Sequence, residues 1–275
     1  MFNFTESFLL FLFQVASGGL FALAATPFNE LDRAFYKSTA GVLYVIGLFA
    51  LWGKTRLYFS GPSIGEPLPT AEILIHALFM LAFTCYLLSL WGERQVFRAR
   101  SFALALMSGL VGLILSSERF HQAPLFSFET LLLPISFFLS ALLLGSVTVG
   151  MLLGHWYLID TGQTLDPFVQ IYRFFVFTLI AQCLLLALSP LILYFVGFPG
   201  TQKSLEATWE KHSTLVITRL LAGQVGPLIL SFMIWRTLQI PHTMAATGLF
   251  YIALLGVFVG EILSRQILTL TALPF

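Results

Sequence analysis

An ionisable side chain inside an apolar run costs free energy in hydrocarbon, so each one asks for a reason. His76, Glu129, Arg219, Glu261 and Arg265 fall within or at the ends of long apolar stretches, and Glu118, Arg119 and His121 close another. Glu261 and Arg265 stand i, i+4, which on a helix puts a carboxylate and a guanidinium on one face within pairing reach. A histidine near the end of an apolar run is a candidate proton acceptor, because imidazole titrates near working pH. Glu118 and Glu129 are candidate onward acceptors. Each residue also has a plainer reading: an ion pair stitching two helices, a histidine bonded to a backbone carbonyl, or a solvated loop.

The elements that position these groups follow from composition. The chain of 275 residues is 58% apolar, 15% aromatic and 10% charged, against roughly 25% charged residues in a soluble domain. Its 29 Phe outnumber the 14 basic and 13 acidic residues together. Too few polar side chains remain to coat a water-soluble globule, which excludes a soluble enzyme, a disordered tail and a nucleic-acid binder. The apolar runs are near the length of about 20 residues that a spanning helix needs, and they lack the alternation of a transmembrane barrel. The expected fold is all-α: a polytopic integral membrane bundle of about eight transmembrane helices, forming one domain over 1–275.

The spans lie near 7–27, 38–57, 71–92, 99–116, 130–157, 168–196, 214–236 and 243–265. Short polar or Pro/Gly segments separate them, such as Gly61-Pro62-Ser63-Ile64-Gly65-Glu66-Pro67, Phe198-Pro199-Gly200-Thr201 and Ile240-Pro241-His242. The opening Met1-Phe2-Asn3-Phe4-Thr5-Glu6 has no basic stretch before its apolar run, so it reads as a retained first span rather than a removed signal peptide. Lys and Arg are more frequent in the odd-numbered loops, most densely in Arg94, Arg98 and Arg100. That places the odd loops in the cytoplasm and both termini outside. With spans alternating in direction, His76, Arg219, Glu129, Glu118, Arg119, His121, Glu261 and Arg265 converge on the outer end of the bundle.

One haem between His76 and His155 is disfavoured, since the two sit at opposite depths of spans running the same way. No iron–sulfur cluster is expected from Cys85 and Cys183 alone, which read as reduced core residues, and no metal site is expected. Gly145, Gly150 and Gly154 recur at helical spacing before His155-Trp156-Tyr157 and read as a packing face leading to an interfacial anchor.

Three short motifs carry a resemblance. Phe11-Leu12-Phe13-Gln14-Val15-Ala16-Ser17-Gly18-Gly19-Leu20 opens the chain, Leu133-Pro134-Ile135-Ser136-Phe137-Phe138-Leu139 lies mid-chain, and Gly260-Glu261-Ile262-Leu263-Ser264-Arg265 closes it. In order, spacing and span number the chain resembles the membrane-anchor subunit of dimethyl sulfoxide reductase-type molybdoenzymes. The resemblance implies a haem-free subunit of the bacterial inner membrane that binds a quinone, menaquinone or ubiquinone. It further implies electron exchange with an iron–sulfur subunit that serves a catalytic, possibly molybdopterin, subunit, all held among membrane lipids.

That family's second helix ends in a His-Leu-Gly element tied to quinol chemistry, where this chain reads Leu51-Trp52-Gly53-Lys54-Thr55-Arg56. His76, Glu118 or Glu129 would take over the proton, or the quinone site is lost. The expected slot lies between the third, fourth and eighth spans, with Glu261, Arg265, Arg219 and His121 around the headgroup. Two other readings stay open. One is a purely structural subunit of an electron-transport complex. The other is a small-molecule transporter, for which Pro134, Pro190 and Pro227 would break helices, though no charge stands at mid-depth and no internal sequence repeat is evident.

Overall fold

The computed structural model describes residues 4–61, 64–121, 127–160, 162–240 and 242–275. The opening Met1-Phe2-Asn3 and the boundary residues Pro62, Ser63 and Pro241 lie outside them. In lipid every backbone amide must be paired within its own segment, so the apolar runs become helices. They are α1 (Phe4–Ala24), α2 (Arg33–Ser60), α3 (Pro67–Ser89), α4 (Gln95–Glu118), α5 (Phe128–Ile159), α6 (Asp166–Val196), α7 (Pro199–Leu220), α8 (Gly226–Gln239) and α9 (Thr243–Thr271). A five-residue π-helical turn, Leu221–Val225, joins α7 to α8. Among the described residues eight helical segments are long and apolar enough to cross a membrane, the seventh being Pro199–Gln239 as a whole.

Large apolar side chains such as Phe59, Leu88, Phe195, Met244 and Leu255 are exposed around the bundle. A protein in water would hide them; here they face lipid, and the chain is an all-α integral membrane protein.

Most of α1 and α5 is buried inside the protein, whereas the other spans bury one face. α1 and α5 cross so closely that a Cβ on Gly18 would lie 1.7 Å from the Ala141 carbonyl oxygen, and one on Gly145 would lie 2.0 Å from Gly18. Small residues let two backbones touch in a medium that gives helices no hydrophobic drive to associate. The stripe of Gly145, Gly150 and Gly154 is thus a packing face, with the latter two against Phe250 and Thr247.

Around this axis α1 packs on α2, and α3 on α4; α5 packs on α6, and α7 and α8 on α9. The second half repeats the neighbour order of the first, an arrangement with no counterpart in residue identities. Ser7 Oγ lies 2.8 Å from Thr269 Oγ1, which brings the starts of α1, α3, α5 and α7 and the ends of α2, α4, α6 and α9 to one end of the bundle. This is called the terminal end below.

The seventh span departs most from the hydropathy reading. α7 starts at Pro199, not near 214, and bends at His212 (φ −129°, ψ 18°). Proline suits a first helical position because its missing N–H has no partner there anyway. The polar first half of α7 hid it from a search for apolar runs.

Candidate functional site

The residues expected at one site fall into two clusters, one in each half. In the first, α3 carries Glu72 and His76 one turn apart on the same face, both buried. Lys54, reaching in from α2, is ion-paired with Glu72, and Ser116 on α4 donates to the same carboxylate. Lys54 Nζ also lies 3.4 Å from Ser116 Oγ, and His76 Nε2 lies 3.5 Å from it. Arg119 donates to Glu72 at 3.4 Å and to Glu6 on α1 at 2.9 Å. The His76 ring stacks on Phe13 with centroids 3.8 Å apart. Its other neighbour is Gly112, where a Cβ would come within 2.9 Å of the imidazole. A side chain there would push the ring away from Ser116. His76 Nδ1 has no hydrogen-bond partner among the described residues.

Exposure is graded along this chain of groups. Glu6 and Arg119 side chains are about a quarter exposed, at 28% and 23%, while Glu72 is 1% exposed. Two cations meet two carboxylates, with the His76 imidazole behind them. A cleft of about 20 Å³ between α1, α2 and α3 leads to Lys54 and Arg119, with Leu9, Leu57 and Ile73 among its lining.

The second cluster joins α5, α7 and α9. Glu261 receives Arg265 Nη2 at 3.2 Å and Arg219 Nη2 at 3.5 Å. Arg265 Nη2 also donates to Ser140 Oγ at 3.0 Å, and its guanidinium lies 4.9 Å from the Phe137 ring centroid. Gln182 Nε2 reaches Ser140 at 3.3 Å, and Gln14 Nε2 donates to the Phe137 carbonyl at 2.8 Å. Gln14, Phe137, Glu261 and Arg265 come from the three motifs that carried the resemblance, so those motifs meet at one crossing of α1, α5 and α9.

Two guanidiniums here share one carboxylate, all of it buried. Arg219 Nε and Nη1 and Arg265 Nε have no partner among the described residues. The π-turn begins two residues after Arg219 and precedes Pro227, and Gly223 within it packs against Gly260 of α9. Arg219 also lines a pocket of about 480 Å³ between α6 and α7, with Leu186, Pro190, Leu205, Trp209 and Phe275 among its walls.

The other expected site residues lie elsewhere. Glu118 and His121 face each other at 3.9 Å, and His121 Nε2 lies 3.1 Å from Thr130 Oγ1, so the two tie the end of α4 to the start of α5. Glu129 accepts the Phe198 amide at 3.0 Å, holding the corner where α6 turns into α7. His155 lies at the opposite end, 3.3 Å from the Tyr251 hydroxyl. The expected slot between the third, fourth and eighth spans is not formed as such: α3 and α4 pack on each other, α9 packs on α5, α7 and α8, and α1 and α5 stand between the two groups. Cys85 and Cys183 are free thiols. No group of metal-ligating side chains occurs among the described residues.

Lys54 and Glu72 are the residues that reading the sequence missed. Lys54, at the polar tail of the second apolar run, lies inside α2 and is buried. Glu72 and His76 have the same i, i+4 spacing as Glu261 and Arg265, and that spacing was the signal that would have found them.

Fold and clusters together define a polytopic α-helical membrane protein with two buried ionic clusters near one end. Comparison with family models, with curated proteins and with solved structures finds no match for the chain.

Proposed function

We propose that the chain is a quinone-interacting membrane anchor of a multi-subunit respiratory oxidoreductase, exchanging electrons with an adjoining iron–sulfur subunit that serves a molybdopterin-type catalytic subunit. The supporting observation is the graded line of acid–base groups from Glu6 and Arg119 at the rim, through Glu72 and Ser116, to buried His76. Oxidising a quinol releases two electrons and two protons, and a buried site needs groups that take the protons out.

His76 accepts a proton within the bundle, since its ring has an unpartnered nitrogen, Nδ1. Ser116 and Glu72 hand it toward the Glu6 carboxylate at the rim, with Arg119 bridging the two carboxylates. Lys54 pairs with Glu72 and holds its carboxylate beside Ser116. The donor set therefore fits a quinol. The cleft has room for about one water, so headgroup entry requires its apolar lip of Leu9, Leu57 and Ile73 to part.

His76→Ala removes the proton acceptor without stripping the ion pairs. General bases typically contribute about 10²–10⁴-fold, so quinol-dependent turnover of the purified complex should fall at least about tenfold. Turnover driven by an artificial donor that bypasses the membrane subunit should hold. Full quinol-dependent activity in His76→Ala would remove the first cluster from the reaction.

The α6–α7 pocket supports a second seat for the headgroup, because about 480 Å³ lies within the roughly 300–1,000 Å³ of small-molecule sites. There Arg219 would donate to a carbonyl oxygen, and Arg219→Gln rather than His76→Ala would lower quinol turnover. If both variants keep quinol activity, the chain is a structural scaffold. The proposed setting is a bacterial inner membrane with both termini outside. Reporters fused at Glu93 and at Phe275 should report the cytoplasmic and the outer side respectively.

A further inference from the structure

At the end of the bundle opposite the two clusters, the α1–α2 loop and the ends of α2, α3 and α4 enclose a cavity of about 420 Å³. Phe28, Tyr36, Tyr86 and Phe102 form aromatic walls, with Tyr86 and Phe102 centroids 4.7 Å apart and Phe28 stacked on Tyr36 at 5.1 Å. Arg33 and Arg98 also line it, and no carboxylate is among the described lining residues.

Two donors here lack partners. Tyr86 is 1% exposed, and its hydroxyl has no hydrogen-bond partner among the described residues. Arg98 spends Nη2 on the Ser89 and Gly92 carbonyls, at 3.3 and 2.7 Å, which satisfies the end of α3 and pins the guanidinium; its Nε is buried and unpartnered. Tyr36, by contrast, has its hydroxyl 2.9 Å from Thr26. A buried O–H and a buried N–H left open beside a cationic, aromatic-walled cavity call for an acceptor from outside the chain.

We infer that this cavity binds the phosphate of an anionic phospholipid. It sits where helices end, at headgroup depth, so the phosphate of a surrounding lipid reaches it without leaving the bilayer. Arg98 Nε and the Tyr86 hydroxyl donate to phosphate oxygens, Arg33 adds charge at the mouth, and the aromatic walls hold the glycerol and upper acyl segments. Basic pockets between spanning helices on a cytoplasmic face are a recurring form of lipid recognition. The inference is independent of the quinone proposal, because it uses no residue of either ionic cluster.

The test uses the full chain, delipidated and placed in phosphatidylcholine nanodiscs with or without phosphatidylglycerol, with retained lipid read by native mass spectrometry. Each arginine near an anionic headgroup is worth about fivefold, so retention of one phosphatidylglycerol over phosphatidylcholine should be about thirtyfold. Arg33→Gln, which breaks no helix cap, should cut that preference by about fivefold. Tyr86→Phe should lower it further without changing the melting temperature in phosphatidylcholine alone. Equal retention of both lipids, or no loss of preference in Arg33→Gln and Tyr86→Phe, would overturn the inference. Inorganic phosphate added to the phosphatidylcholine sample is the control. Stabilisation by it equal to that from phosphatidylglycerol would show a free-phosphate site and overturn the lipid assignment.

Discussion

The two ionic clusters occupy corresponding places in the two halves, between the third and fourth spans of each and near the terminal end, yet they are built on opposite terms. The first balances Lys54 and Arg119 against Glu72 and Glu6, and it opens to water through side chains about a quarter exposed. The second sets Arg219 and Arg265 against Glu261 alone, all three side chains about 2% exposed, with only Arg219 bordering the α6–α7 pocket. A balanced cluster with one wet end can pass a proton without stranding a charge in hydrocarbon. A buried cluster whose one carboxylate is held by two guanidiniums has no free acid–base group to pass a proton and instead ties α7 to α9 at Glu261, with α5 joined through Arg265 and Ser140. The same placement therefore suits proton exchange in one half and a lock in the other.

The comparison breaks most visibly at Glu261. Glu261→Gln leaves two guanidiniums buried with no carboxylate between them, and breaking a buried pair typically costs about 3–5 kcal/mol. The variant should fail to accumulate in membranes or melt far below the parent chain in detergent. A melting temperature within a few degrees of the parent would show that the second cluster is not a lock.

A smaller effect is expected in the first cluster, because its partners are shared. Glu72→Gln strands Lys54, but Ser116 remains 3.4 Å away. Lys54→Met leaves Glu72 with Arg119 and Ser116. Each single variant should be destabilised, and the double variant should recover part of the loss, with a coupling of about 1–3 kcal/mol measurable by thermal or denaturant unfolding in micelles. Strict additivity would mean that Lys54 and Glu72 do not interact in the protein.

The contrast also shows what was legible in the residues. Apolar length alone announced eight spans, and α5, α6 and α9 start within two residues of where the hydropathy pattern puts them. The i, i+4 pair Glu261–Arg265 was legible because both partners lie on one helix. Counting depth along alternating spans already put Arg219 at the same end as that pair, though not in contact with Glu261. Lys54, which completes the other cluster, arrives from a different helix, and no spacing in a linear chain reveals such a contact. The split into two clusters was hidden for the same reason: depth along a span can be counted from sequence, but which spans stand between others is decided by contacts such as Gly18 against Ala141. The first half of α7 was obscured by its polarity, since a helix of mixed face gives no apolar run to count.

The smallest effect on stability, and the one that most sharpens the contrast, belongs to Arg219. Its bond to Glu261 is the longer of the two, at 3.5 Å against 3.2 Å, and its Nε and Nη1 contribute no bond at all. Removing it leaves Glu261 and Arg265 as a neutral pair, with Arg265 still held by Ser140 and over Phe137. Arg219 is the excess cation, so its removal strands no carboxylate and avoids the cost of about 3–5 kcal/mol for breaking a buried pair, while a second guanidinium no longer has to be held away from water. Arg219→Met should therefore melt at or above the temperature of the parent chain, while Glu261→Gln, one bond away, collapses. If Arg219→Met instead loses as much as Glu261→Gln, the excess cation is compensated in the intact protein by an anionic or carbonyl-bearing occupant of the pocket beside it. The second half would then carry a ligand site and not only a lock.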